Sequence, residues 1–218
     1  MKTGICYIVG AGENYGLDFI PEKEDFVIAA DAGFRYLRDA DITPDLIVGD
    51  FDSLNDIPQS GNILKFAAEK DDTDMFIALK EGIGAGYRSF HIYGGTGGRI
   101  DHTIANIQML AYISERKMNG CLFHKDTVLI MMENGKLMFD EGSLGYVSVF
   151  SYSERSTGVY LRNLKYELVD ATLTNSFPLG VSNELVGKES SITVENGVLL
   201  ISFPRGLEKR IHFIPMQN

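Results

Sequence analysis

Five short apolar runs in the first half of the chain each hand over to glycine, aspartate or both. Ile5–Val9 leads into Gly10-Ala11-Gly12-Glu13, Phe26–Ala30 into Asp31-Ala32-Gly33, and Leu46–Val48 into Gly49-Asp50-Phe51-Asp52-Ser53. Ile63–Phe66 precedes Lys70-Asp71-Asp72-Thr73-Asp74, and Phe90–Tyr93 runs into GGTGGRIDH, Gly94 to His102. If the runs are parallel strands, their carboxyl ends share one rim, where ligands of α/β sheets bind. Carboxylates a few Å apart repel by roughly 1–4 kcal/mol per pair. A divalent cation removes that cost, and Mg²⁺ favours hard oxygen ligands while bridging to phosphates. Helix N-capping is the competing use of each Asp. For Asp31 or Asp71 alone the two uses stay open; for Asp50, Asp52, Asp74 and Asp101 together, metal is the preferred reading.

The run Gly94–Gly98 holds four glycines in five residues. Its backbone can approach a ligand closely, and N–H groups such as those of Thr96 and Gly97 can face phosphate oxygens ahead of a helix N-terminus. Arg99 adds a cationic fork for phosphate. His102 is either a phosphate donor or a helix-start packing group. Gly10-Ala11-Gly12 is a weaker loop of the same kind. No Gly-Lys-Ser/Thr follows either loop, and the spacing is not that of a dinucleotide fingerprint. No histidine pair has metal-ligand spacing, and Ser53 and Ser182 lack a nucleophile-elbow context.

Positioning these residues takes strands alternating with helices. Gly33–Ala40, Asp74–Gly82 and Ile100–Lys117 carry apolar residues at helical spacing, the last with Ile104, Ile107, Met109 and Leu110 as its expected core face. The alternation predicts a mostly parallel sheet covered on both faces. From about residue 125 the texture changes to short β-rich runs: Val128–Met132, Lys136–Phe139, Tyr146–Phe150, Val159–Leu161 and Val198–Phe203. Asn134-Gly135 and Asn196-Gly197 read as two-residue hairpin turns. The expected layout is an N-terminal Rossmann-like α/β domain over 1–125 and a C-terminal antiparallel β-sandwich or barrel over 126–218.

Composition narrows the field further. The 218 residues are 44% hydrophobic and 23% charged, ordinary for a folded chain. The net charge of −10 argues against a general nucleic-acid binder. No apolar run is long enough to span a membrane, and ICYIV is shorter than a signal-peptide core. Cys6 and Cys121 sit in apolar segments and read as buried, reduced thiols, which points to a cytoplasmic protein.

The set DAGFRYL, TPDLIVGDFDSL, KDDTDM and GGTGGRIDHTIANI, in that order, with Gly180-Val181-Ser182-Asn183-Glu184 later, resembles the thiamine pyrophosphokinase family over nearly the whole chain. The resemblance implies an α/β catalytic domain binding ATP and Mg²⁺, a β-sandwich that binds thiamine and dimerises, and composite active sites in a homodimer. By motif, Asp50, Asp52 and Asp74 would hold Mg²⁺ and act in catalysis with Asp101. Asp74 would also lie beside thiamine. Asp31, Asp71, Asp72, Thr96, Gly97, Arg99 and His102 would serve the nucleotide, and Ser182 and Asn183 would reach thiamine. Some family members place a Trp against the thiamine ring; this chain has no Trp, and Phe177 is a candidate replacement. The implied reaction is attack of the thiamine hydroxyl on the β-phosphorus of ATP, with release of AMP. The rival readings are an aspartyl phosphatase acting through Asp50, a nucleotide-sugar enzyme using the Asp50/Asp52 pair, and a non-catalytic nucleotide or thiamine sensor. Each leaves part of the motif set unexplained.

Overall fold

The computed structural model describes residues 2–49, 62–65 and 72–215. The chain divides into two compact units, Met1–Lys125 and Asp126–Asn218.

The first unit alternates strands β1 (Cys6–Val9), β2 (Phe26–Ala30), β3 (Leu46–Gly49), β4 (Asn62–Lys65), β5 (Ser89–Tyr93) and β6 (Asn119–Phe123) with helices α1 (Gly33–Asp39), α2 (Asp74–Gly84) and α3 (Ile100–Glu115). The strand order is β6-β5-β1-β2-β3-β4, with every pair parallel. β1 therefore has β2 on one side and β5 on the other, with Cys6 level with both Phe26 and Phe90. Its four residues are all buried, as expected of a strand covered on both faces. On one face, Gly82 of α2 lies so close to the sheet that a Cβ there would stand 2.6 Å from Cys6 Sγ. On the other, where Tyr7 points, the Phe19 ring stacks at 3.9 Å.

Two details differ from the sequence reading. Of the expected core face of α3, Met109 and Leu110 are buried, Ile107 is half-buried and Ile104 is 53% exposed; Asn106 and Ile113 complete the buried stripe. That stripe follows the i, i+3, i+4, i+7 rule, and Ile104 lies outside it. Cys121 is only half-buried, unlike Cys6, and both are free thiols.

The second unit consists of β7 (Thr127–Phe139), β8 (Leu144–Ser151), β9 (Arg155–Arg162), β10 (Leu168–Thr174), β11 (Gly180–Val186), β12 (Ser190–Pro204) and β13 (Ile211–Pro215). All its strand pairs are antiparallel. β12 pairs with β7 along its length, with β9 through its first half and with β8 through its second. β10 extends from β9, β11 from β8, and β13 from the second half of β7.

The expected hairpins at Asn134-Gly135 and Asn196-Gly197 do not form. Each dipeptide lies inside a continuous strand, β7 or β12. The left-handed residues Asn134 (φ 42°) and Gly197 (φ 124°) instead make an irregularity where the two strands face each other. The Asn134 side-chain oxygen accepts the Gly197 N–H at 2.9 Å, closing the gap in the ladder. Among the described residues, no helix is long and apolar enough to cross a membrane.

Candidate active site

β1 and β5 are neighbours whose onward connections run in opposite directions across the sheet. The carboxyl ends of β1 and β5 therefore mark the topological switch point, the place where ligands of open α/β sheets settle. The loops after these strands are zipped together. Gly10 N–H donates to Tyr93 O at 2.8 Å, Gly12 N–H to Gly94 O at 2.7 Å, and Glu13 N–H to Thr96 O at 2.9 Å. Gly94 has φ 59°, and a Cβ there would fall 2.3 Å from the Gly10 carbonyl oxygen, so only glycine fits.

Beyond the zipper the glycine loop turns outward through Gly97 (φ 81°) and Gly98 (φ 62°). The Glu13 carboxylate accepts the Gly98 N–H at 3.2 Å and the Tyr15 hydroxyl. These donors, the tyrosine foremost, hold its carboxyl below the usual range. Thr96 is buried, its hydroxyl 2.9 Å from His124 Nδ1. Asn106, also buried, donates to Gly95 O at 2.7 Å and fixes the loop to α3. The Thr96 side chain, assigned to the nucleotide from sequence, is thus engaged in supporting the loop.

Arg99 and Asp101 flank the start of α3. The guanidinium donates to both carboxylate oxygens, Nε at 3.2 Å and Nη2 at 2.5 Å, while the two side chains remain 71% and 60% exposed. The pairing, chiefly its hydrogen bonding, raises the Arg99 pKa and lowers that of Asp101. His102 lies one residue on, exposed.

At the end of β2, Asp31 takes the left-handed conformation (φ 51°) and donates its N–H to Val48 O at 2.8 Å. A Cβ on Gly49 would sit 3.3 Å from Asp31 Cα, so Asp31 adjoins the end of β3. Asp50 and Asp52, which follow Gly49, and Asp71 lie outside the described residues. Asp72 is paired with Lys80 at 2.6 Å. The Thr73 hydroxyl caps α2 by accepting the Phe76 N–H, leaving Asp74 as the first helical residue, where the helix dipole favours a carboxylate. Met75 packs against Gly10, which anchors the start of α2 at the β1 loop. Among the described residues, no three His, Cys, Asp or Glu side chains are grouped to hold a metal ion.

In the β unit, Ser182 and Asn183 separate. Ser182 is exposed, with φ 58°, at an irregularity of β11. Asn183 is 3% exposed, and its side-chain amide is bonded to backbone groups of Tyr166 and Glu184. Tyr166 itself is 59% exposed, with the Lys165–Glu184 ion pair beside it. Phe177 is exposed as well.

Sequence reasoning named neither Tyr166 nor the Glu13, Tyr15 and His124 set as site residues. His124 follows the last parallel strand directly and so satisfied the same strand-end rule that singled out the aspartates.

The comparisons with known proteins follow this layout. Residues 18–122 match the family described as thiamin pyrophosphokinase, catalytic domain, and residues 136–199 match thiamin pyrophosphokinase, vitamin B1 binding domain. The thiamine pyrophosphokinase of Bacillus subtilis (strain 168) is 30% identical over 210 residues, covering 92% of this chain and 98% of the relative. A crystal structure of thiamine pyrophosphokinase from B. subtilis superposes with a TM-score of 0.81 at 26% identity, over 92% of this chain and 98% of that one. One of thiamin pyrophosphokinase from Geobacillus thermodenitrificans gives 0.78 at 28% identity, over 91% and 96%. An α/β unit followed by a β-rich unit, matched in turn to a catalytic and a vitamin B1 binding domain, places the chain among transferases of two parts. The chain belongs to the thiamine pyrophosphokinase family.

Proposed function

We propose that this chain transfers the pyrophosphoryl group of ATP to the hydroxyl of thiamine, yielding thiamine diphosphate and AMP. The observation that carries this reading is the joined pair of glycine loops at the switch point between β1 and β5, with α2 and Asp74 anchored beside it. Family membership supplies the substrates.

Backbone N–H groups around Gly97, together with Arg99, receive the triphosphate on the rim of a Rossmann-like unit. Phosphate reaches Arg99 by displacing Asp101 from its fork. Carboxylate oxygens at strand ends suit Mg²⁺, and Asp50, Asp52 and Asp74 are the residues we assign to hold it. When bound, Mg²⁺ neutralises charge on the phosphates of ATP. Asp74 faces the thiamine hydroxyl, orienting it or accepting its proton. Asp31, Asp71 and Asp72 shape the nucleotide side, and Asp101 and His102 complete it.

Thiamine is cationic, which the acidic rim favours. Ser182, exposed on the β-sandwich unit, contacts it, whereas the buried amide of Asn183 contributes by holding Tyr166. Tyr166 replaces Phe177 as our choice of aromatic to cover the thiamine ring, since its backbone is fixed on both polar groups. We further infer a cytoplasmic homodimer with composite sites, as the family resemblance implies.

The test is incubation with thiamine, ATP and Mg²⁺, assayed for thiamine diphosphate and AMP. Thiamine-dependent AMP release in equal molar yield supports the proposal; AMP release indifferent to thiamine refutes it.

A further inference from the structure

Three residues next to the glycine loop, Glu13, Tyr15 and His124, fall outside the stretch 18–122 that matches the catalytic domain. They nevertheless form a closed circuit with that loop. Glu13 N–H bonds Thr96 O, and the Glu13 carboxylate accepts the Gly98 N–H. The same carboxylate accepts the Tyr15 hydroxyl, the Tyr15 ring meets the His124 ring edge-on at 4.7 Å, and His124 Nδ1 bonds the Thr96 hydroxyl. The loop is thereby held at both ends of Thr96–Gly98. The Gly97 backbone also lies against the Glu13 side chain, where an added Cβ would stand 2.7 Å away. Gly97 and Gly98 lack side chains that could fix their left-handed conformations, so their arrangement depends on such outside contacts.

We propose that Glu13, braced by Tyr15 and His124, is a positioning residue that sets the 94–98 loop to receive the nucleotide's phosphates. The proposal rests on the nucleotide reading of that loop. Glu13 acts here through geometry, as an acceptor of the Gly98 N–H, and not through its negative charge, which would oppose a triphosphate.

This separates two substitutions. Glu13→Ala removes the brace; Glu13→Gln keeps an oxygen for Gly98 and an amide for Tyr15 without the charge. Glu13→Ala is expected to raise KM for ATP by about tenfold, as a small misplacement of binding groups does, with KM for thiamine within about twofold. Hydrogen exchange of the Thr96–Gly98 amides in the nucleotide-free protein should accelerate in parallel. Glu13→Gln should restore both readouts, and Tyr15→Phe should reproduce them in weaker form if Glu13→Ala folds poorly. The inference is overturned if Glu13→Ala leaves KM for ATP and loop exchange unchanged, if it tightens ATP, or if Glu13→Gln matches Glu13→Ala. Wild-type protein that fails to bind ATP while the exchange difference persists refutes the nucleotide reading and this role together. An absent exchange difference with intact ATP binding refutes the brace alone.

Discussion

The side-chain amide of Asn183 grips the backbone of Tyr166 at both polar groups: Oδ1 accepts the Tyr166 N–H at 2.9 Å, and Nδ2 donates to the Tyr166 carbonyl at 2.6 Å. Oδ1 also accepts the Glu184 N–H at 2.9 Å. The asparagine amide is thus occupied by backbone groups, and the neighbouring Tyr166 ring is exposed to solvent.

Asn183→Ala leaves those backbone groups without their partner, at a cost of about 1–3 kcal/mol. Tm should drop by roughly 2–4 °C per kcal/mol for a chain of this size. KM for thiamine should rise and KM for ATP should not. Tyr166→Ala should raise KM for thiamine with little loss of Tm, and Tyr166→Phe should restore it. Kinetics with each substrate varied in turn, beside thermal melts, decide this; equal rises in both KM values contradict the assignment.

Asp74→Asn should reduce turnover by about 100-fold or more, the typical contribution of acid–base catalysis or greater. The fold should persist, because α2 is capped by Thr73 and not by Asp74. Thr73→Ala tests the converse: about 1 kcal/mol of stability lost with the cap. An Asp74→Asn protein with full turnover would falsify the role given to this carboxylate.

Two glycines of one loop should respond differently to alanine. Gly94→Ala places Cβ 2.3 Å from the Gly10 carbonyl and should disrupt the joined loops. Gly98→Ala meets nothing within 4 Å and pays only for its left-handed backbone, about 1–2 kcal/mol. Denaturant midpoints should fall far more for Gly94→Ala. Similar midpoints would mean that the two loops separate at little cost.

Burial, reinforced by Asp45, pushes the Cys6 thiol well above its ordinary range. The folded chain therefore keeps a proton that the unfolded chain releases near pH 8.5. Stability from this group is intact below that pH and declines as pH rises beyond it, by up to about 1.4 kcal/mol per unit. Tyr7, pushed up to about 12 mainly by burial, adds a similar loss starting near its unfolded value of about 10. Melts from pH 7.5 to 10.5 should show a steeper alkaline decline for the wild type than for Cys6→Ala; parallel curves would count against it. Native Cys6 should also resist thiol reagents until the protein is unfolded.

Under the proposed mechanism chelator should abolish product formation and Mg²⁺ should restore it, because strand-end carboxylates repel ATP unless a cation lies between them. Asp50→Asn and Asp52→Asn should lose turnover far more than thermal stability. Undiminished turnover in excess chelator would remove the metal from the mechanism.

Much of the first unit was legible because strands covered on both faces must be continuously apolar, as Phe26–Ala30 and Leu46–Gly49 are. β6 was not, since Asn119-Gly120-Cys121 carries no β-branched residue and draws its pairing from β5. The strand-end rule singled out Asp31, Asp74 and the glycine run, and the described structure puts Asp31 at the end of β2, Asp74 at the start of α2 and the glycine run after β5. It could not show that Thr96 bonds His124, a contact between residues 28 positions apart. The β unit was harder to read. Asn-Gly at 134 and 196 carries the local chemistry of a turn, but each lies in a strand held by long-range pairing, which overrides that preference.

The place of β1 between an early neighbour and a late one also bears on synthesis. Cys6–Val9 emerges long before its later neighbour, so one edge remains unpaired until Ser89–Tyr93 arrives. During that interval a wholly apolar strand edge is open to intermolecular pairing. Truncated products ending before residue 89 should therefore precipitate rather than persist as soluble fragments.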